Sequence, residues 1–135
     1  MEPPIETENK QIKPFHIRSK IWIEDDQGHV IFGLGRFRML EAIERCGSLN
    51  AAAKELKMSY RGLWGKIKTT EEGLGAPLLM RNTGGASGGG SQLTDLARTL
   101  MAEFKIMHSH IIHDADMFFI NEFSKNIIEK SGLNK

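Results

Sequence analysis

Between Leu49 and Ile67 the chain carries two short helical stripes separated only by Met58 and Ser59, and this spacing constrains the fold more than any other feature. Leu49, Ala52, Ala53 and Leu56 fall at the i, i+3, i+4, i+7 positions of one helix face, and Tyr60, Leu63, Trp64 and Ile67 repeat the pattern. Helices this short are marginal alone and must pack on neighbours to persist. Three consecutive alanines, Ala51 to Ala53, keep the first of the pair slim enough for another helix to approach. Ser48 and Ser59 stand where N-caps belong, and Gly73-Leu74-Gly75 predicts that the second helix ends near Glu72.

The flanks complete the pattern. Residues 35–46 read as a helix with Phe37, Leu40 and Ile43 on one side, Met39 beside them, and Gly47 as its stop. Upstream, Ile17, Ser19, Ile21 and Ile23 alternate. Asp26-Gln27-Gly28 is a turn signal and His29–Phe32 a second apolar run, so a β-hairpin is expected. Downstream, Pro77–Arg81 reads as a strand and Gln92-Leu93 as its return, around a glycine-rich tip. Helix, tight turn, helix, hairpin is the order of a winged helix-turn-helix. The fold class expected is mainly α with a small β component (α+β).

Thr94 or Asp95 caps a last helix whose apolar residues Leu96, Leu100, Phe104, Met107, Ile111, Ala115 and Phe118 keep a three-to-four spacing. At about 1.5 Å per residue that stripe is roughly 35 Å long, more than so small a body covers. Leu96, Leu100, Phe104, Met107, Ile111 and Phe118 are therefore expected to meet a second copy in a homodimer. The organisation expected is a flexible arm at 1–14, a winged domain at 15–93, a dimerisation helix at 94–123 and a frayed tail at 124–135.

The net charge of +1 over 135 residues conceals a gradient. Residues 47–91 hold six bases (Lys54, Lys57, Arg61, Lys66, Lys68, Arg81) against three acids (Glu55, Glu71, Glu72), net +3, while each flank is net −1. Such a middle fits a polyanion-binding face on an otherwise balanced chain. In a helix-turn-helix the second helix enters the major groove of duplex DNA. Its outward residues here are Arg61, Gly62, Gly65, Lys66, Lys68 and Thr69, with no acid among them. Arg61 is the candidate reader of a base edge, because its planar fork suits guanine. Lys66 and Lys68 suit phosphate, which gives affinity without sequence information. Gly62 and Gly65 have two readings of equal weight: close approach to DNA, or room for a neighbouring helix. Trp64 is expected in the core, whereas the Tyr60 ring can be buried with its hydroxyl reaching a phosphate. Arg81 is the charged contact at the wing base, and backbone N–H groups of the tip suit phosphates.

Other chemistries find little support. The glycine run ends Gly90-Ser91-Gln92, without the Gly-Lys-Ser/Thr of a phosphate-binding loop. His110 and His113 lie about 60° apart on a helical wheel while His108 is nearly opposite, a poor set for one metal. Cys46 is the one cysteine, which excludes an intrachain disulfide and indicates a reducing, cytoplasmic setting. No run of apolar residues is long enough for a membrane span. No nucleophile–base pair is placed by any motif, so enzyme activity is not expected.

The stretches Gly47–Ala53 and Met58–Trp64 resemble the DNA-binding domain of the molybdate-responsive ModE regulators, and the wing Arg81–Thr94 is similar to theirs. The helix pair also resembles that of LysR-type regulators, with Leu74-Gly75-Ala76-Pro77-Leu78-Leu79 echoing their pattern. The resemblance runs from about Ile17 to Leu100. It implies a dimeric, sequence-specific transcription regulator on a palindromic operator, with Ser59, Tyr60, Arg61, Gly65 and Lys66 facing DNA from the recognition helix and Thr83, Gly84, Gly85 and Ser87 in the wing. ModE regulators continue into molybdate-binding domains, for which 135 residues leave no room, so no cofactor is expected. Two further readings of the same fold are a protein-interaction adapter and a small oxyanion- or metal-responsive sensor.

Overall fold

The computed structural model describes residues 15–81 and 91–132. The chain divides into two compact units, Ile21–Ile106 and one drawn from the chain's two ends, up to Lys20 and from Met107 onward.

In the Ile21–Ile106 unit, β1 (Trp22–Glu24) pairs antiparallel with β2 (Val30–Gly33), with a bulge between Ile23 and Glu24. The strand is shorter than the alternation at Ile17–Ile23 implied, because residues 15–21 make no ladder. The Asp25 carboxylate closes the turn by accepting the backbone N–H groups of Gln27 and His29, both at 2.9 Å. Helix α1 (Leu34–Cys46) ends at Gly47, whose φ of 83° is the left-handed conformation a stop of this kind requires. Ser48 caps α2 (Leu49–Leu56) by accepting the Ala51 N–H, and Ser59 caps α3 (Tyr60–Leu74) by accepting that of Gly62. Both caps stand where the sequence placed them. Helix α3 continues past Glu72 because Gly73 lies inside it, and the left-handed stop is Gly75.

The wing strands β3 (Leu79–Arg81) and β4 (Ser91–Leu93) pair Leu79 with Leu93 and Arg81 with Ser91. Thr94 then caps α4 (Asp95–Phe118), its Oγ1 accepting the Ala97 N–H at 3.1 Å. The core gathers Phe32, Leu40, Ile43, Leu49, Leu63, Ile67, Leu78, Leu93 and Phe104 between the helices and the strand bases. Phe104 meets Phe32 edge-on, with ring centroids 5.2 Å apart. The expectation that Phe104 serves a dimer contact is corrected: it is 2% exposed and belongs to the chain's own core.

In the other unit, the helix does not fray at residue 124. A π-helical turn, Phe119–Phe123, in which the Ser124 N–H bonds to the Phe119 carbonyl, leads directly into α5 (Ser124–Ser131). Phe119 and Phe123 stack at 5.4 Å, and Ile128 is buried, so this segment has apolar anchors that hold it as helix. The apolar stripe read from the sequence ends at Phe118, and the π turn that follows inserts a residue and shifts the face that continues into α5. Among the described residues, no helix is long and apolar enough to cross a membrane.

Candidate nucleic-acid interface

The candidate site is the outer face of α3, and its inner face explains why that helix is held firmly. Leu63 and Ile67 are fully buried. One turn on, Thr70 is buried too, and its hydroxyl donates to the Ile31 carbonyl of β2 at 2.5 Å. A side chain at Gly73 would place its Cβ 2.6 Å from the Ile31 Cδ1, so the Ile31 side chain packs directly on this glycine.

Outside this seat, Ser59, Tyr60, Arg61, Gly65, Lys66, Lys68, Thr69 and Glu72 are exposed. At about 100° per residue, Arg61, Gly65 and Lys68 fall within roughly 60° of one another, while Lys66 sits about 100° from Gly65 on a flank. Tyr60, drawn inward by its stripe position, is 42% exposed at the rim. Trp64 is partly buried against the core, and the Lys68 ammonium lies over its ring at 5.6 Å from the centroid. That cation–π contact holds Lys68 on the α3 surface. A Cβ at Gly65 would meet nothing within 4 Å, whereas one at Gly62 would lie 3.0 Å from the Ser59 Oγ. Neither glycine makes room for a neighbouring helix. Gly65 flattens the exposed face, and Gly62 accommodates the cap.

The electrostatics favour an anion. The first turn of α3 carries no acid, so the positive end of its helix dipole is uncompensated. Glu55 pairs with Arg45, and Glu44 with Arg98 at 2.9 Å, while the one acid on the outer face of α3, Glu72, lies in its last turns beyond Lys68. None of the ion pairs among the described residues uses Arg61, Lys66 or Lys68. Arg36 of α1 is partly buried, and its Nη1 donates to the Val30 carbonyl at 2.6 Å. Burial pushes its guanidinium pKa down from the ordinary arginine value. It braces the first hairpin rather than offering charge to a ligand.

The backbone of Arg81 is paired in the wing ladder. Thr83, Gly84, Gly85 and Ser87 lie outside the described residues. Of the expected dimer contacts, Leu96, Met107, Ile111 and Phe118 are exposed, Phe118 by 64%, while Leu100 is half-buried against the core. Among the described residues, no group of three or more His, Cys, Asp or Glu could hold a metal ion.

A capped, core-seated second helix with a basic outer face, followed by a two-stranded wing, defines the class: a winged helix-turn-helix. Residues 34–98 match the family described as bacterial regulatory helix-turn-helix protein, lysR family. The chain is homologous to the molybdenum transport protein ModE of Azotobacter vinelandii, with 46% identity over 72 residues, 53% of this chain and 27% of that protein. It is 39% identical over 85 residues to the transcriptional regulator ModE of Haemophilus influenzae, covering 58% of this chain and 33% of that one. The chain thus spans a third or less of these relatives' length. Full-length CbnR, solved in complex with its target DNA, shares the fold at a TM-score of 0.50 and 21% identity, over 64% of this chain and 28% of that one. The resemblance carried by the helix pair and the wing is borne out at the level of the domain.

Proposed function

We propose that this chain is a sequence-specific DNA-binding transcriptional regulator that lays α3 in the major groove and its wing along the backbone. The observation that carries the reading is the patch of Arg61, Gly65 and Lys68, joined by the exposed Glu72 only at the helix's far end, on a helix whose opposite face is locked into the core. The name of one relative, a transcriptional regulator, supports it. The chain acts as a homodimer on a two-fold operator, joined through the exposed apolar residues Leu96, Met107, Ile111 and Phe118. DNA reading needs no cofactor in this proposal, and calorimetry with molybdate is expected to give no heat.

Selection of bound duplexes from a random pool tests binding, sequence and half-site symmetry together. Affinity is expected to fall steeply with salt, log K dropping by about 0.9 per decade of salt for each phosphate contacted. Arg61→Ala is expected to cost about 1–3 kcal/mol and to relax preference at one base pair per half-site. Absence of duplex binding from a broad pool at low salt refutes the proposal. Sedimentation that finds only monomer at binding concentrations removes the dimer from it.

A further inference from the structure

The carboxylate of Glu71 has no role in the DNA-reading face, and its place near the C-terminus of α3 is unfavourable for the helix itself. A negative charge in a last turn opposes the helix dipole, and this turn carries no base to offset it. What Glu71 does is bridge. Its Oε2 accepts the backbone N–H of Leu78 at 2.7 Å and that of Leu79 at 3.3 Å, at the root of the wing. The opposite side of the same short segment is held by Thr94. The Thr94 N–H donates to the Leu78 carbonyl at 2.9 Å, and its hydroxyl donates to the Pro77 carbonyl at 3.0 Å while capping α4. Leu78, fully buried, therefore has its N–H fixed by α3 and its carbonyl fixed at the start of α4.

We infer that Glu71 is a positioning residue for DNA binding: through Leu78 and Leu79 it fixes the angle between the recognition helix and the wing. The inference rests on the DNA-binding proposal above. Without Glu71 the wing root would keep its bonds to Thr94 but lose its hydrogen-bonded tie to α3, and helix and wing would then meet one duplex in a less fixed register. A carboxylate accepting two N–H groups makes a stiffer link than a neutral acceptor, because charge-assisted bonds are shorter and stronger.

The test uses the full chain with Glu71→Ala and Glu71→Gln, on a duplex taken from the random-pool selection. Glu71→Ala is expected to bind about ten-fold more weakly and to lose about one phosphate contact from the salt slope. In a hydroxyl-radical footprint, protection beside the wing should disappear while major-groove protection by α3 remains. Glu71→Gln, whose amide oxygen still accepts, should restore most of both. In the free protein, amide exchange at Leu78 and Leu79 should quicken in Glu71→Ala with the circular dichroism unchanged. Unchanged affinity, slope and footprint in Glu71→Ala overturn the inference. So does a uniform loss of protection accompanied by loss of helix, since Glu71 is then a folding residue only. If the wild-type chain binds no duplex, the DNA-binding reading fails. The exchange at Leu78 and Leu79 then decides separately whether the clamp exists.

Discussion

Two hairpins lean on the same helix, and consecutive residues of α3 hold them in opposite senses. Thr70 donates its hydroxyl to a carbonyl of β2, while Glu71 accepts N–H groups at the root of β3. The first hairpin also sends Ile31 and Phe32 into the core and receives Arg36 on its Val30 carbonyl. Among the described residues of the wing, Leu79 and Leu93 enter the core, and one residue further along β3 Met80 is half exposed. A hairpin buried on one face is part of the body. The described part of the wing is instead gripped at its root by hydrogen bonds. The difference is invisible in strand count or length, and it lies in which polar and apolar groups each hairpin sends back to α3.

The largest expected effect separates the hairpins by truncation. Phe32→Ala removes a ring that is 1% exposed and packed edge-on against Phe104. It should destabilise the domain by about 3–5 kcal/mol. Met80→Ala in the wing should stay within about 0.5 kcal/mol. Urea denaturation of both variants checks this. Equal losses would mean that the wing is as much a part of the core as β2.

Next in size is Thr70→Val, which keeps shape and removes the donor to a buried carbonyl. A loss of about 1–3 kcal/mol is expected in the same measurement. Loss of one bond between hairpin and helix should also quicken amide exchange in β2 more than in β3. A neutral result would show that apolar packing of Ile31 against Gly73 suffices to seat the first hairpin.

Much of this was legible in the sequence because it is written locally. Ser48 and Ser59 as caps, Gly47 and Gly75 as stops, and the Leu63–Ile67 stripe each depend on neighbours within a turn. The outward set Arg61, Gly65 and Lys68 follows from that stripe by subtraction. What escaped depends on partners far along the chain. Thr70 continues the buried stripe but is polar, and only the distant Ile31 carbonyl explains it. Phe104 looked available for a second copy because nothing in α4 announces Phe32 and Phe37 as its neighbours. Ala42 and Ala97, both buried, are too small to signal a face. The clamp of Glu71 links residues seven and eight positions apart across a turn, where helical periodicity says nothing.

The smallest effect concerns how the first hairpin's turn is closed. The Asp25 carboxyl pKa is held below its usual 3.8, first by the His29 backbone N–H, with partial desolvation opposing, and then by the Gln27 N–H and the His29 ring. The ring nitrogen lies 3.1 Å from the carboxylate. Because the folded pKa is depressed, the contribution is fully present above the unfolded value of 3.8 and is lost as pH falls through the folded value. The group is exposed, so solvent screens the effect and it stays small. An NMR titration should therefore show the Gln27 and His29 amides moving together, with a midpoint below 3.8. Asp25→Asn should abolish that transition while leaving the wing amides unmoved. A midpoint at or above 3.8 would mean that the carboxylate does not close the turn in solution.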